Sequence, residues 1–315
     1  MKITILAPKS EFTEQQQKQL FELGEVVYTE SRKEYPIEEL IKLAAGSEIL
    51  AVDPDNLGGF EKAQEGRLIQ LIESLPNLKG IALSTTSFSW VDLDYCRKRK
   101  IVVTNVPHYS TESVAEHVLA LLICLAKKIL LTDRRTQKGQ YKLDMGFELK
   151  GKTLGVIGLG AIGSRVAELG NAIGINVIAY NRTPKQQPNV AVKSLDEVLA
   201  VSDAISINLA SNSETDKLIS KEKLGMVKNG VIMVNLAARE IVDEEAMAEA
   251  LKSGKVSSYA YEGEDLESGP LAKIETAIGL KGFAWYTKEA LERAAEIWTN
   301  SIVSIAQGKP INVVS

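Results

Sequence analysis

The motif GLGAIG, Gly158 to Gly163, is the feature that most constrains how this chain can fold. It follows the apolar run TLGVI and opens the helical pattern AIGSRVAELG. In such a turn Gly158 permits the tight bend, Gly160 lets the backbone approach a pyrophosphate, and Gly163 lets helix and strand pack closely. The free N–H groups of the first helical turn, around Ala161 and Ile162, then face the anion. The motif in this context predicts a dinucleotide-binding βαβ unit.

Short apolar runs alternate with helical patterns along most of the chain. KITILA, EILAVD, KGIALS and IVVTNV form a first series, and TLGVIGL, NVIAYN, AISINLA and VIMVNLA form a second. This rhythm predicts an α/β protein with two Rossmann-like, doubly wound parallel sheets. Residues 111–128 are predicted to be a helix between the series, with Ser113 and Glu116 as its capping box. The closing helical pattern KEALERAAEIWTNSIVSIAQG has no strand of the second series to pair with, so we expect it to return to the first domain.

The composition narrows the class of partner. With 315 residues, 45% of them hydrophobic and 25% charged, the chain is long enough for two globular domains. A formal charge of −4 with interspersed signs argues against nucleic acid or a membrane surface and leaves a small-molecule substrate. Cys96 and Cys124 lack zinc-site spacing, and the start MKITILAP does not resemble a signal peptide, so we expect a cytoplasmic protein.

The strand after the glycine motif ends in AYNRTPK, which bears on the choice of cofactor. An NAD-binding fold places an acid about 20 residues after the motif, where it binds the ribose 2′-hydroxyl. Here Asn181 takes that place and Arg182 and Thr183 follow, with Lys185 nearby. A carboxylate would repel a 2′-phosphate, whereas a guanidinium binds it bidentately. The sequence therefore favours NADP over NAD, and a solvated basic loop is the alternative interpretation.

Several stretches resemble the D-2-hydroxyacid dehydrogenase family. They are LPNLKGIAL, VDLDYCRKRKIVVTNVPHYSTESVAEHVLALL, LKGKTLGVIGLGAIGSRVAELG, SETDKLISKEKLGMVKNGVIMVNLA, VDEEAMAEALKSGKV and GKPINVV. The resemblance implies a homodimer whose discontinuous, flavodoxin-like substrate domain (1–103 and 283–315) flanks a Rossmann nucleotide domain (104–282). Beyond the glycine motif, it implies cofactor contacts from Asn208, Leu209, Ala210, Leu236, Ala237 and Glu262.

Members of this family reduce 2-keto acids with an arginine, a histidine and a glutamate. Here Asn235 and Val242-Asp243 match the two ends of the family pattern V-N-x-A-R-G-x-x-V-D at the usual separation, which puts Ala238 at the arginine position. Arg239 stands one residue later, where the family has glycine. Successive Cβ atoms of a strand point to opposite faces. We therefore expect Arg239 either to reach the site through a rearranged loop or to be a solvated charge.

The family's proton-transfer histidine is missing. Lys281 and Gly282 stand at the positions of its Pro-His motif. Of the 2 histidines in the chain, His108 lies in an open loop and is a candidate replacement acid, whereas His117 is predicted to be a satisfied structural histidine. Tyr286 is a second candidate proton donor, and packing is its alternative role.

Two further segments complete the expected site. The family glutamate falls on Glu267, within a run of acids that a solvated loop would also explain. Ahead of VDLD, where the family has glycine amides that hold the substrate carboxylate, this chain has Ser87, Phe88 and Ser89. Hydroxyls and an aromatic wall indicate a larger and less acidic substrate than a simple keto acid.

The predicted function is an NADP(H)-dependent oxidoreductase with a rebuilt active site that reduces a carbonyl or related unsaturated group. Because two of the family's three catalytic side chains are missing, a catalytically inactive nucleotide-binding protein, acting as sensor or partner, is the alternative. A third possibility is C=C or C=N reduction, in which less oxyanion stabilisation is needed.

Overall fold

The computed structural model describes residues 1–183 and 185–315, and the chain divides into two compact units. The first unit comprises Met1–Tyr109 and Lys288–Ser315, and the second comprises Ser110–Thr287. The sequence predicted these boundaries at residues 103 and 283. Residues 104–109 therefore belong to the first unit, although the sequence placed them in the nucleotide domain. Residues 283–287 belong to the second unit, although the sequence placed them in the substrate domain.

The N-terminal part of the first unit is a parallel sheet with helical connections. Its elements are β1 (Lys2–Ile5), α1 (Glu14–Phe21), β2 (Glu25–Tyr28), α2 (Ile37–Ala44), β3 (Ile49–Val52), α3 (Phe60–Lys62), α4 (Leu68–Glu73), β4 (Gly80–Leu83), α5 (Leu93–Lys98) and β5 (Val102–Thr104). The strand order is β2-β1-β3-β4-β5, which is the flavodoxin-like order. β3 and β4 are buried along their whole length, as expected for strands with helices on both faces.

The second unit is a larger parallel sheet. Its elements are α6 (Thr111–Ala126), α7 (Ile129–Gln137), β6 (Thr153–Ile157), α8 (Ala161–Ala172), β7 (Asn176–Tyr180), β8 (Ala191–Val192), α9 (Leu195–Val201), β9 (Ala204–Ile207), α10 (Lys221–Met226), β10 (Val231–Asn235), α11 (Glu244–Ser253), β11 (Val256–Glu262) and β12 (Ala277–Leu280). The strand order is β12-β11-β10-β9-β6-β7-β8. From β6 to β8 successive strands are added towards one edge of the sheet, and from β9 to β12 they are added towards the other edge, which is the Rossmann arrangement. The predicted fold class, with two doubly wound parallel sheets, is confirmed.

The last helix, α12 (Lys288–Ala306), belongs to the first unit. Its Trp298 and Ile302 are buried in a cluster with Ile3 and Ile5 of β1. The indole Nε1 of Trp298 donates to the carbonyl oxygen of Ala82 in β4 at 2.9 Å. Apolar burial and one buried hydrogen bond therefore fix α12 against this sheet.

Within the second unit, the carboxyl ends of the strands place the candidate site. Gly158 follows β6, Asn181 follows β7, Asn208 follows β9 and Leu236 follows β10. In a parallel sheet these ends share one edge, and ligands of doubly wound folds bind there, beside the point at which the strand order reverses. The predicted cofactor residues are thus gathered by topology at one edge of one sheet.

Candidate functional site

The glycine turn between β6 and α8 is packed too tightly for side chains at two of its three glycines. Gly158 has φ +96°, and a Cβ there would lie 2.6 Å from the carbonyl oxygen of Asn208. A Cβ at Gly163 would lie 1.8 Å from the carbonyl oxygen of Gly158. At Gly160, by contrast, no atom of the described residues beyond Gly160 and its two chain neighbours lies within 4 Å of an added Cβ. The turn therefore leaves space at Gly160, beside the N-terminus of α8, where a pyrophosphate would bind.

The residues after β7 are tied to this turn. Asn181 Oδ1 accepts from the backbone N–H of Leu159 at 2.9 Å, and its Nδ2 donates to the carbonyl of Thr183 at 2.6 Å. Lys185 Nζ donates to the carbonyl of Leu159 at 2.5 Å and to Ser164 Oγ at 2.9 Å. Asn181 thus holds the glycine turn by a hydrogen bond that an acid at this position would also make.

Arg182 extends from the same strand end into solvent. Its Nη1 donates to Glu214, which lies on the loop after β9. The side chains of Arg182 and Glu214 are 73% and 65% exposed. An exposed pair of this kind contributes little to stability and exchanges partners readily.

The other predicted cofactor residues line the neighbouring strand ends. Asn208 to Ala210 follow β9, and the Asn208 side chain hydrogen-bonds Ser206 Oγ at 3.0 Å. After β10, the buried Asn235 accepts from the backbone N–H of Ala237 at 3.1 Å, which shapes the turn that contains Leu236. These contacts give each segment a fixed backbone at the edge of the sheet.

Comparison with known proteins identifies the family of this site. Residues 119–279 match the family model "D-isomer specific 2-hydroxyacid dehydrogenase, NAD binding domain". The chain is 37% identical over 252 residues to a D-3-phosphoglycerate dehydrogenase of Archaeoglobus fulgidus. The aligned region covers 77% of this chain and 48% of that protein. The chain belongs to the D-isomer specific 2-hydroxyacid dehydrogenase family.

The chain spans only about half of the phosphoglycerate dehydrogenase. Two other comparisons cover more of the matched protein. The chain is 33% identical over 263 residues to a glyoxylate reductase of Aeropyrum pernix, covering 78% of each chain. A solved structure of an acyclic imino acid reductase in complex with NADPH and D-Arg is 27% identical, with a TM-score of 0.82 and full coverage of both chains.

The family assignment makes this chain an oxidoreductase with a nicotinamide cofactor. The glycine turn fits that cofactor, because Gly158 and Gly163 allow the close packing and Gly160 leaves the space that a pyrophosphate needs. Within residues 1–183 and 185–315, no helix has the length and apolarity to cross a membrane, and no three His, Cys, Asp or Glu side chains converge as a metal site.

Arg239 begins a short 3-10 turn, Arg239–Ile241, and is held by the helix that follows. Its Nε and Nη2 donate to the two carboxylate oxygens of Glu244 at 2.7 and 2.8 Å, and Nη1 donates to the carbonyl of Asp265 at 3.2 Å. The Arg239 and Glu244 side chains are only 24% and 19% exposed, and hydrogen bonding to Glu244 raises the pKa of Arg239. The guanidinium fork that could bind a substrate carboxylate already holds a carboxylate of the protein.

Glu244 is a residue that the sequence analysis did not single out. It is the first residue of α11, where the helix N-terminus favours a negative charge. It lies five positions after Arg239, and the intervening 3-10 turn brings the two side chains together. An acid at the start of a helix just after an arginine-bearing turn was the available signal, but the turn geometry that completes the pair is not visible in the sequence.

The segment at the family's Pro-His positions is anchored through its backbone. Glu262 Oε1 accepts from the N–H groups of Phe283 and Ala284 at 3.1 and 3.0 Å, and burial raises the pKa of Glu262. Ser113 Oγ donates to the carbonyl of Ala284. The predicted capping box of Ser113 and Glu116 is therefore wrong, because α6 begins at Thr111 and the Ser113 hydroxyl bonds this loop instead.

His117 lies one turn further along α6 and packs against the same loop. Its ring meets the Phe283 ring edge-on, with the centroids 4.9 Å apart. Its Nε2 is buried and has no hydrogen-bond partner among the described residues. The prediction of a satisfied histidine is wrong for this atom, since the neighbouring ring offers no acceptor. Burial lowers the pKa of His117.

The remaining catalytic candidates are exposed. Tyr286 lies in the second unit and packs edge-on against Trp285, with the ring centroids 5.2 Å apart. Glu267 lies on the loop after β11. His108, in the first unit, has φ 61°, a left-handed conformation that favours glycine. Within the second unit, the structure gives no hydrogen bond between the described side chains of Tyr286 and Glu267.

The candidate substrate loop of the first unit is shaped by its own polar groups. Thr85 Oγ1 and Trp90 Nε1 both donate to the carbonyl of Ser87, at 2.7 and 3.0 Å. The hydroxyls of Ser87 and Ser89 lie 3.3 Å apart, and Phe88 is exposed between them. The loop presents two hydroxyls and one aromatic ring after the carboxyl end of β4.

Proposed function

We propose that this chain is an NADP(H)-dependent reductase with a non-standard active site, which acts on a C=N bond of a small molecule in preference to a simple 2-keto acid. The observation that carries the proposal is the bidentate pair of Arg239 and Glu244. Ala238 and Gly282, at the family's arginine and histidine positions, supply neither a cation nor an acid.

The chemistry of the two substrates differs in what it requires of the protein. Hydride transfer to a neutral carbonyl leaves an alkoxide, which needs a nearby positive charge and a proton donor. Hydride transfer to a protonated imine leaves a neutral amine. The protein then needs neither a positive charge beside an alkoxide nor a proton donor for it. The nicotinamide supplies the hydride when bound. A carbonyl substrate would need a proton from Tyr286, His108 or Glu267, which we retain as candidate donors.

The proposed preference for NADP comes from the end of β7. Asn181 stands where an acid would exclude a 2′-phosphate, and Arg182 offers a guanidinium beside it. The similar imino acid reductase was solved with NADPH and D-Arg, which supports both the cofactor and the class of bond reduced. In the first unit, Ser87, Phe88 and Ser89 would contact the substrate.

A homodimer and a cytoplasmic location complete the proposal. Tyr141, Leu143 and Met145 are largely exposed on the segment between α7 and β6, and apolar side chains clustered in this way indicate a surface that another chain covers. We infer that a second copy of this chain covers it. Cys96 and Cys124 are free, as is usual in a reducing compartment.

The test is an acceptor screen with the purified full-length protein. NADPH and NADH are titrated first, and loss of nicotinamide absorbance is then followed with glyoxylate, with hydroxypyruvate, and with each acid mixed with ammonia or methylamine, which convert it to an imine. We expect tight NADPH binding and turnover only when the amine is present.

Two results would contradict the proposal. Reduction of glyoxylate alone that is lost in Arg239→Ala would show that Arg239 binds the substrate carboxylate. Tight NADPH binding without turnover of any acceptor would favour an inactive sensor or partner. As a positive control, Ala238→Arg combined with Gly282→His should shift activity towards 2-keto acids if those two side chains account for the preference.

A further inference from the structure

We propose that Glu214 is a specificity-determining residue for the cofactor, because its carboxylate competes with the 2′-phosphate of NADP for Arg182. The inference deepens the proposed function and rests on its NADP preference. It concerns a residue on the loop after β9, away from the strand end at which cofactor preference is usually read from the sequence.

The position of Glu214 is fixed by the turn that carries it. The backbone N–H of Glu214 donates to Asn212 Oδ1 at 2.9 Å, and the N–H of Asn212 donates to Thr215 Oγ1 at 2.9 Å. These two bonds fold the loop so that Glu214 Oε2 accepts from Arg182 Nη1. The carboxylate therefore meets the guanidinium because of local backbone geometry and not only through the flexibility of two exposed side chains.

Arg182 is also the group that a 2′-phosphate would use. Lys185, the other cation at this strand end, already donates to the Leu159 carbonyl at 2.5 Å and to Ser164 Oγ at 2.9 Å. A guanidinium binds a carboxylate or a phosphate through the same planar fork. Glu214 occupies Nη1 of Arg182, so a 2′-phosphate that binds a pair of guanidinium nitrogens including Nη1 displaces Glu214 and leaves a carboxylate close to the phosphate.

The expected effect is modest because both side chains are exposed, at 73% and 65%. Solvent screens the pair, so the phosphate can displace Glu214, but at a cost in affinity. NADH carries no 2′-phosphate and incurs no such cost. Glu214 should accordingly lower the ratio of NADPH affinity to NADH affinity.

The experiment is a calorimetric titration of NADPH and NADH into full-length wild type, Glu214→Gln, Arg182→Gln and the double variant. Glu222→Gln is the matched control, because it removes the same charge from the exposed surface of α10. We expect Glu214→Gln to raise the affinity ratio about threefold. The control should leave the ratio unchanged, and Glu214→Gln should have no effect once Arg182 is replaced.

The possible failures are distinguishable. An unchanged ratio in Glu214→Gln, with a ratio that falls in Arg182→Gln, overturns the role of Glu214 and leaves the NADP preference standing. Equal wild-type affinities for NADPH and NADH, with no effect of Arg182→Gln, overturn the proposed cofactor preference and this inference with it. An equal rise in Glu214→Gln and Glu222→Gln would reduce the effect to net charge and also overturn it.

Discussion

Two turns at the same edge of the second sheet differ in whether the protein itself already uses their binding groups. The glycine turn follows β6 and leads into α8, and the arginine turn at 239–241 follows β10 and leads into α11. Beyond Gly160 and its two chain neighbours, no described atom lies within 4 Å of a Cβ added at Gly160. The guanidinium of Arg239, in contrast, already donates hydrogen bonds to the Glu244 carboxylate and the Asp265 carbonyl. Topology brings both turns to the site, but only the first offers binding groups that the protein does not already use.

The largest effect is expected from adding a methyl group to the glycine turn. In Gly163→Ala the new Cβ would lie 1.8 Å from the carbonyl oxygen of Gly158, so the backbone must move. We expect a loss of about 2–4 kcal/mol in the free energy of unfolding and loss of measurable NADPH binding. Urea unfolding and calorimetric titration measure the two effects.

Gly160→Ala is the matched control within the same turn. Its Cβ has no described atom beyond its chain neighbours within 4 Å, so stability should change by less than about 0.5 kcal/mol while the methyl group hinders the cofactor. If Gly163→Ala proved as stable as Gly160→Ala, the tight packing around Gly163 would be refuted.

The two turns also differ in how far the sequence predicts them. GLGAIG specifies its own conformation, because Gly158 and Gly163 are required by the close packing of the turn, and a strand and a helix stand on either side. The state of Arg239 depends on Glu244 and on the loop that contains Asp265, which only the tertiary structure brings together. The displaced arginine could therefore be recognised from spacing, but its internal partner could not.

The same distinction explains the errors around α6. A capping box is a local pattern, and Ser113 with Glu116 has the right spacing. The Ser113 hydroxyl instead bonds the carbonyl of Ala284, far along the chain. Ser113 and His117, whose neighbours Ala284 and Phe283 are distant in sequence, were the residues that local patterns misjudged.

A double-mutant cycle on Arg239 and Glu244 tests the arginine turn. Removing one charge leaves the other partly buried without its partner, so Arg239→Gln and Glu244→Gln should each destabilise the protein by about 1–2 kcal/mol. The double variant should lose less than their sum, with a coupling of about 1 kcal/mol by urea unfolding.

The exposed pair of Lys221 on α10 and Glu249 on α11 is the control cycle. These side chains are 74% and 64% exposed, so Lys221→Gln and Glu249→Gln should couple by no more than about 0.5 kcal/mol. Equal coupling in the two cycles would mean that Arg239 exchanges its partner as easily as a surface charge. A substrate carboxylate could then displace Glu244, and the contrast between the two turns would fail.

The smallest effect is expected from pH and concerns His117 and the loop that contains Phe283. Burial places the pKa of His117 below the ordinary 6.5, so below that pH the unfolded chain binds a proton more readily than the folded one. The free energy of unfolding should therefore fall as pH drops through 6.5 towards the folded-state pKa, and His117→Leu should reduce this fall. Urea unfolding over a pH series measures the slopes. An unchanged slope in His117→Leu would mean that the imidazole is solvated in the folded protein. The Phe283 loop would then be as accessible to solvent as the space at Gly160 is to the cofactor.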